Sequence, residues 1–287
     1  MVDGPGVGAS GGGAAFTRLE DVTGEAPGRG GGWVASEVVG TGEGTVVWVG
    51  DPVARRVRRA WEERRRGRGG GGGGSEPVED PERAAESADR ARRRAARAMR
   101  LYAVRNRLTR LWTWTYAEAQ WDAAVVKRDA NAAMGRLRKY LGRDLPYLYV
   151  LELHPGGHGL HVHVLLPSTF IAHEALSALW GHGFVQYSDR EVALEQVKGQ
   201  RARARMAARY LVKYVGKDVG RERPPGEHRY EVAQGFAPEV VRRSVESDWA
   251  GYVLLCSANG GEVPVESWSS AGREDWRGPP CRWWLWL

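Results

Sequence analysis

The sequence predicts an α+β fold in which helices flank a central antiparallel β-sheet. Runs rich in β-formers alternate with runs of helical period between residues 82 and 217. Two of the β-runs are separated only by the turn-rich hexapeptide His154-Pro155-Gly156-Gly157-His158-Gly159, as antiparallel neighbours require. Many of the 39 glycines lie before residue 75, so the folded part is shorter than the 287-residue chain.

The elements follow in order. Residues 1–32 are rich in Gly and Ala without a hydrophobic period and are expected to be disordered. Thr45 to Val49 reads as a strand, Arg55 to Arg68 as a short basic helix, and Gly69 to Gly74 as a flexible linker. As a whole, residues 1–80 are expected to form a largely disordered Gly- and Arg-rich region. Residues 82–111 read as one long helix of Ala and Arg, both good helix formers. Leu111 to Tyr116 alternates and reads as a strand. Residues 117–141 carry a helical pattern, with Trp121, Val125, Ala132, Leu137 and Leu141 expected to face inward. Strands at Tyr147–Leu153 and Leu160–Leu166 form the hairpin. A short helix at His173–Trp180, a strand at Phe184–Ser188 and a helix over 201–217 complete the domain, expected over 81–225. Residues 226–287, punctuated by Pro and Gly, read as a C-terminal extension. Its end, Trp283-Trp284-Leu285-Trp286-Leu287, is strongly apolar but too short to span a bilayer, and is expected to pack on the domain or on a partner.

The formal net charge of +7 and a sequence pI of about 9.6 favour a polyanionic partner, by counterion release and long-range steering. Arginines crowd Arg90 to Arg110 with few acidic residues after Asp89. Arg105, Arg107 and Arg110, with Thr113 and Thr115 on the strand that follows, are the candidate DNA contacts. Trp112, Trp114 and Tyr116 offer either stacking surface for unpaired bases or core filling. The two cysteines, Cys256 and Cys281, form no Cys-x-x-Cys pair, which disfavours a cysteine zinc site. No apolar signal core and no long apolar run is present, so a cytoplasmic protein without membrane association is expected.

His161-Val162-His163 lies in the second strand of the hairpin. Side chains two apart on a strand share a face, so both imidazoles can approach one cation. Glu152, near the end of the first strand, is the candidate third ligand; a carboxylate beside nitrogen donors accommodates Mg or Mn. His154, which shares parity with Glu152, and His158 in the turn stand as rivals. Four of the seven histidines fall within residues 154–163.

In the last helix Tyr210 and Tyr214 are four apart and share a face, with Lys213 and Lys217 repeating the same interval. One reading makes the tyrosines packing residues, and Leu211 and Val215 part of the buried stripe. The other makes them nucleophiles. A phenol with a pKa of about 10 is a poor nucleophile at neutral pH. Ammonium groups and a metal-polarised phosphate favour its attack.

Three ordered motifs carry a resemblance. Leu111-Trp112-Thr113-Trp114-Thr115-Tyr116, Leu160-His161-Val162-His163-Val164-Leu165-Leu166 and Tyr210 to Lys217 resemble the successive motifs of the HUH endonucleases. Among these the sequence looks most like the rolling-circle replication initiators of bacterial plasmids and phages, of the two-tyrosine type. The match covers about residues 100–220, and Arg229 to Phe236 also resembles a segment that follows the nucleophile helix in actinobacterial plasmid initiators. The resemblance implies an antiparallel sheet flanked by helices and a metal site of His161, His163 and Glu152. It implies a nicking-joining reaction in which Tyr210 and Tyr214 form a 5′-phosphotyrosine link, assisted by Lys213 and Lys217. The implied cofactor is a divalent metal ion, Mg or Mn. The implied partners are single-stranded or hairpin origin DNA, a host DNA polymerase and a host helicase, since Gly69 to Gly74 is not followed by the Lys-Ser/Thr of a phosphate-binding loop. Two other readings stand beside it: a two-tyrosine transposase or relaxase with the same chemistry, and a non-catalytic origin-binding protein.

Overall fold

A computed structural model describes residues 31–50, 81–154, 156–188, 193–217, 230–274 and 279–286. The expected disorder of residues 1–30, the Arg55–Arg68 helix and the Gly69–Gly74 linker lie outside the described residues. Over the described residues the architecture is α+β, with two antiparallel five-stranded sheets and five helices.

The central sheet has the order β6-β3-β5-β4-β7. Its strands are β3 (Leu108–Tyr116), β4 (Leu148–Leu153), β5 (Leu160–Pro167), β6 (Gly183–Tyr187) and β7 (Glu231–Val232). Helices α1 (Pro81–Arg105) and α4 (Gln200–Lys217) cover one face, and α2 (Ala123–Leu141) and α3 (His173–Trp180) cover the other. The period-2 alternation of the strands assigns side chains to the two cores. Leu108, Leu111, Leu148, Val150 and Leu165 pack with Met99, Tyr102, Leu211 and Val215. Trp112, Trp114, Tyr149, Val162 and Val164 pack with Met134, Leu137 and Trp180.

Three expectations are corrected. The first long helix ends at Arg105, not at 111, because Arg107 takes a left-handed turn (φ 52) that releases the chain into β3. The second helix begins at Ala123, not at 117, where Asp122 caps it by accepting from the Ala124 and Val125 amides. With that start the inward stripe becomes Val126, Ala130, Ala133, Met134 and Leu137. Trp121 and Ala132 are exposed, Val125 and Leu141 are partly buried, and of the expected five Leu137 alone is fully buried. Gly142 closes the helix in the left-handed conformation (φ 63).

The second sheet was not expected as a sheet. It has the order β8-β1-β2-β10-β9 and joins the two ends of the chain. Its strands are β1 (Gly31–Val38), β2 (Glu43–Gly50), β8 (Val240–Val245), β9 (Glu266–Ser269) and β10 (Cys281–Leu285). Residues 31–50, placed by the sequence in a largely disordered region, are therefore two paired strands. Helix α5 (Asp248–Ala258) packs on this sheet around Trp33, Ala35, Val46, Leu255, Trp284 and Trp286. The Trp-rich C-terminus thus packs on its own domain, and the Trp286 indole N–H donates to the Glu262 carbonyl at 2.9 Å. A buried carboxylate ties this sheet to the helices of the first. Glu43 on β2 is 1% exposed; Arg100 of α1 donates to it through two nitrogens at 3.0 and 3.1 Å, and Arg205 of α4 donates to it as well. Burial opposes ionisation of Glu43, but the Arg100 and Arg205 guanidiniums outweigh it and hold the carboxyl below its ordinary range.

The β4–β5 turn is fixed by Gly159 at φ 80, where an added Cβ would lie 2.6 Å from the Gln120 carbonyl oxygen. That same carbonyl accepts from the Leu160 amide at 2.7 Å, so the close approach is part of the turn. Gly159→Ala should therefore cost on the order of 1–3 kcal/mol, from the left-handed conformation and the backbone clash. Urea unfolding of the variant and wild type checks this.

Candidate active site

Strand register assembles the site. Within the hairpin Glu152 lies opposite His161 and Val150 opposite His163; across the other edge of β5, Thr113 lies opposite His163. Parity then puts Glu152, His161, His163 and Thr113 on the face that α4 covers. There the Tyr214 ring lies flat on the His163 ring, with centroids 4.1 Å apart and planes 2° from parallel. Tyr214 is buried, and Tyr210 is partly buried and meets it edge-on at 5.4 Å. The Lys213 ammonium sits 4.9 Å from the Tyr210 ring centre, within cation–π range. Lys217 closes the last turn of α4; its side chain is outside the described residues. Leu211 and Val215 fill the buried stripe as expected.

His163 is held at both ring nitrogens. Its Nε2 lies 2.7 Å from Glu152 Oε2, and its Nδ1 lies 3.0 Å from Thr113 Oγ1. An ionised carboxylate only accepts, so Nε2–H donates to Glu152 and, in the neutral ring, Thr113 donates to Nδ1. The Thr113 hydroxyl is itself 3.1 Å from Ser188 Oγ. Thr113, expected to touch DNA, thus orients a histidine. Ser188 was missed by the sequence reading; a lone serine at a strand end carries no motif.

His161 is different. Its Nε2 is buried and has no hydrogen-bond partner among the described residues. Its ring lies 4.6 Å from that of His154, which in turn lies 5.0 Å from that of His158. Burial, then the neighbouring His154 and His163, push the His161 imidazole down to about 4, so it is neutral at pH 7 with its lone pairs available. The donor chemistry of His161, His163 and Glu152 fits a divalent cation, and a buried orphan nitrogen beside a carboxylate is the feature a ligand would satisfy. Among the described residues, however, no group of three His, Cys, Asp or Glu side chains stands as a formed metal cage. The Glu152–His163 hydrogen bond closes that pair on itself.

The remaining expected contacts lie elsewhere. Arg105 and Arg107 sit at the start of β3, about 17 Å along the strand from Thr113 at ~3.4 Å per residue. Arg107 is partly buried with Nη1 unpartnered among the described residues; burial and then the nearby Arg201 and Arg105 lower its pKa. Arg110 lies on the opposite face of the sheet, stacked over Tyr187 and donating to its hydroxyl. Thr115 gives its carbonyl to the Trp180 indole N–H at 3.1 Å. Trp112 and Trp114 belong to the core beneath α2 and α3, on the face away from His163. The Tyr116 hydroxyl donates to Asp129. These three aromatics do not offer stacking surface at the site.

The low His161 pKa has a consequence for stability. The unfolded chain takes up a proton near pH 6.5 that the folded chain refuses until about 4, so folded stability must fall as pH drops through that window. Thermal melts from pH 7 to pH 4.5 should show a falling Tm, and His161→Gln should flatten the fall.

Residues 109–219 match the model of a family of replication-associated proteins, described as the ORF2 type. No curated protein and no solved structure matches the chain. The matched stretch runs from β3 through α4 and contains all the residues gathered at the site, so over this stretch the chain is similar to that family, which supports a Rep-like protein with a role in initiating replication.

Proposed function

We propose that this protein is a rolling-circle replication initiator that nicks and rejoins single-stranded DNA through a tyrosine. The observation that carries the reading is the stacking of Tyr214 on His163, with Glu152 bonded to the same ring and Tyr210 one helical turn away. A nucleophile is thereby held against a His/carboxylate set on the side of the sheet that the family match covers.

His161, His163 and Glu152 are the residues that would hold a divalent cation, Mg or Mn, whose charge would polarise the scissile phosphate. Thr113 Oγ1 can accept from Nδ1–H as readily as it donates to Nδ1, so His163 can change tautomer and turn an Nε2 lone pair outward. The Tyr214 or Tyr210 oxygen attacks phosphorus, the 3′-oxygen leaves and collects a proton, and the 5′ end stays on the tyrosine. Lys213 and Lys217 carry the positive charge that favours the phenolate and the crowded phosphate oxygens. The free 3′-hydroxyl would serve a host polymerase, with a host helicase opening the duplex. The second tyrosine, or the released hydroxyl, then reverses the exchange and joins the ends, with one phosphodiester made for each one broken.

The test is a denaturing gel of end-labelled single-stranded DNA, taken from the intergenic region of the element that encodes the protein, incubated with Mn²⁺ or Mg²⁺. Wild type should give a metal-dependent protein–DNA adduct, and Tyr210→Phe with Tyr214→Phe should abolish it. Losing one tyrosine should cost at least about 10²-fold if that residue is the sole first nucleophile. Metal-independent binding without adduct would favour a non-catalytic origin-binding protein.

A further inference from the structure

On the face of the central sheet away from His163, a cavity of about 350 Å³ opens between β3, β6 and the start of α3. Its walls include Trp112, Tyr187, Arg110, Phe170 and Glu174. The lining is mostly π-surface. The Trp112 and Tyr187 ring centroids are 4.9 Å apart, and the Arg110 guanidinium lies 5.1 Å from the Tyr187 ring centre. Phe170, at the rim, is 84% exposed, an unusual position for a phenylalanine with nothing to cover. The volume is at the low end for ligand pockets, which suits one flat heteroaromatic group.

The cavity and the candidate active site meet at the sheet edge. β6 is the edge strand; Tyr187, its last residue, lines the cavity, and the next residue, Ser188, bonds the Thr113 hydroxyl that holds His163. One residue of edge strand thus separates the two faces, so a single strand passing over the site can turn one nucleotide around the edge.

We propose that this cavity takes a single unpaired nucleobase of the DNA strand engaged at the Tyr214–His163 site. The base would stack on Phe170 and Tyr187 beside the Arg110 guanidinium plane, and the Glu174 carboxylate would accept from a base amino or imino N–H. Aromatic faces serve any base, because every base has a π-face. Paired bases, held in their own stack, cannot enter. The inference rests on the reading of the protein as one that acts on single-stranded DNA, but not on covalent chemistry.

The probe is fluorescein-labelled dT20, titrated with the full-length protein at fixed salt, alongside a dT20·dA20 duplex. Phe170→Ala should weaken dT20 binding about tenfold and leave duplex binding unchanged. Phe170→Trp should restore it, and Trp121→Ala, at an exposed tryptophan off the cavity, should have no effect. Because Phe170 is exposed, the variants should melt with the wild type. A dT20 probe carrying 5-iodouracil should photocrosslink within residues 169–187. Equal dT20 affinity for Phe170→Ala and wild type, equal losses on both probes, or no dT20 binding by wild type would overturn the proposal. If Phe170 matters and no phosphotyrosine adduct ever forms, the pocket stands and the nicking chemistry falls. If adducts form and Phe170 is irrelevant, the pocket falls alone.

Discussion

The register of β5 between β3 and β4 is the constraint on which the rest depends. Thr113, His163 and Val150 lie in line across three strands, and Glu152 faces His161 one step along. A slip of one residue would turn every one of these polar side chains into the core beneath α2 and α3, and would turn Val162 and Val164 toward α4. The fully buried Trp114, Val162, Val164 and Leu166 make that slip prohibitive, so the packing of one face fixes the chemistry of the other.

Helix α4 is the second half of the arrangement, and it is held from both ends. Near its start Arg205 bonds the buried Glu43 of the second sheet; near its end Tyr214 lies on His163. Removing one partner of a buried ion pair is far more costly than the pair is stabilising, so this contact serves more to fix position than to add net stability. The second sheet, built from both ends of the chain, thereby braces the helix that carries the tyrosines. The result is a pre-set constellation, in which little rearrangement is needed before a bound phosphate meets the nucleophile.

The local part of this was legible in the residues. The hairpin, the shared face of His161 and His163, the pairing of Glu152 with His161, and the common face of Tyr210 and Tyr214 follow from periods of 2 and 3.6. The second sheet was not legible, because β1 and β2 pair with strands some two hundred residues away, and no local period reports such a partner. Strand parity also leaves open which face carries chemistry: Thr113 and Trp112 are equally plausible as DNA contacts until the helices are placed. Thr113 then proves to hold His163, and Trp112 to pack in the opposite core. The aromatic cavity has the same origin. Arg110, Phe170 and Tyr187 are scattered in sequence and converge only through the β3–β6 pairing and the entry to α3.

The most direct test of the central claim is to locate the covalent bond. The sequence provides a convenient cut: trypsin cleaves after Arg209, Lys213 and Lys217, so Tyr210 and Tyr214 fall on separate tetrapeptides. The protein would be incubated with single-stranded origin DNA and Mn²⁺, digested with nuclease and trypsin, and analysed by mass spectrometry. The account predicts a nucleotide on Tyr210-Leu211-Val212-Lys213 or on Tyr214-Val215-Gly216-Lys217, and nowhere else. A nucleotide on a residue outside α4, or cleaved DNA with no nucleotide on the protein, would contradict it.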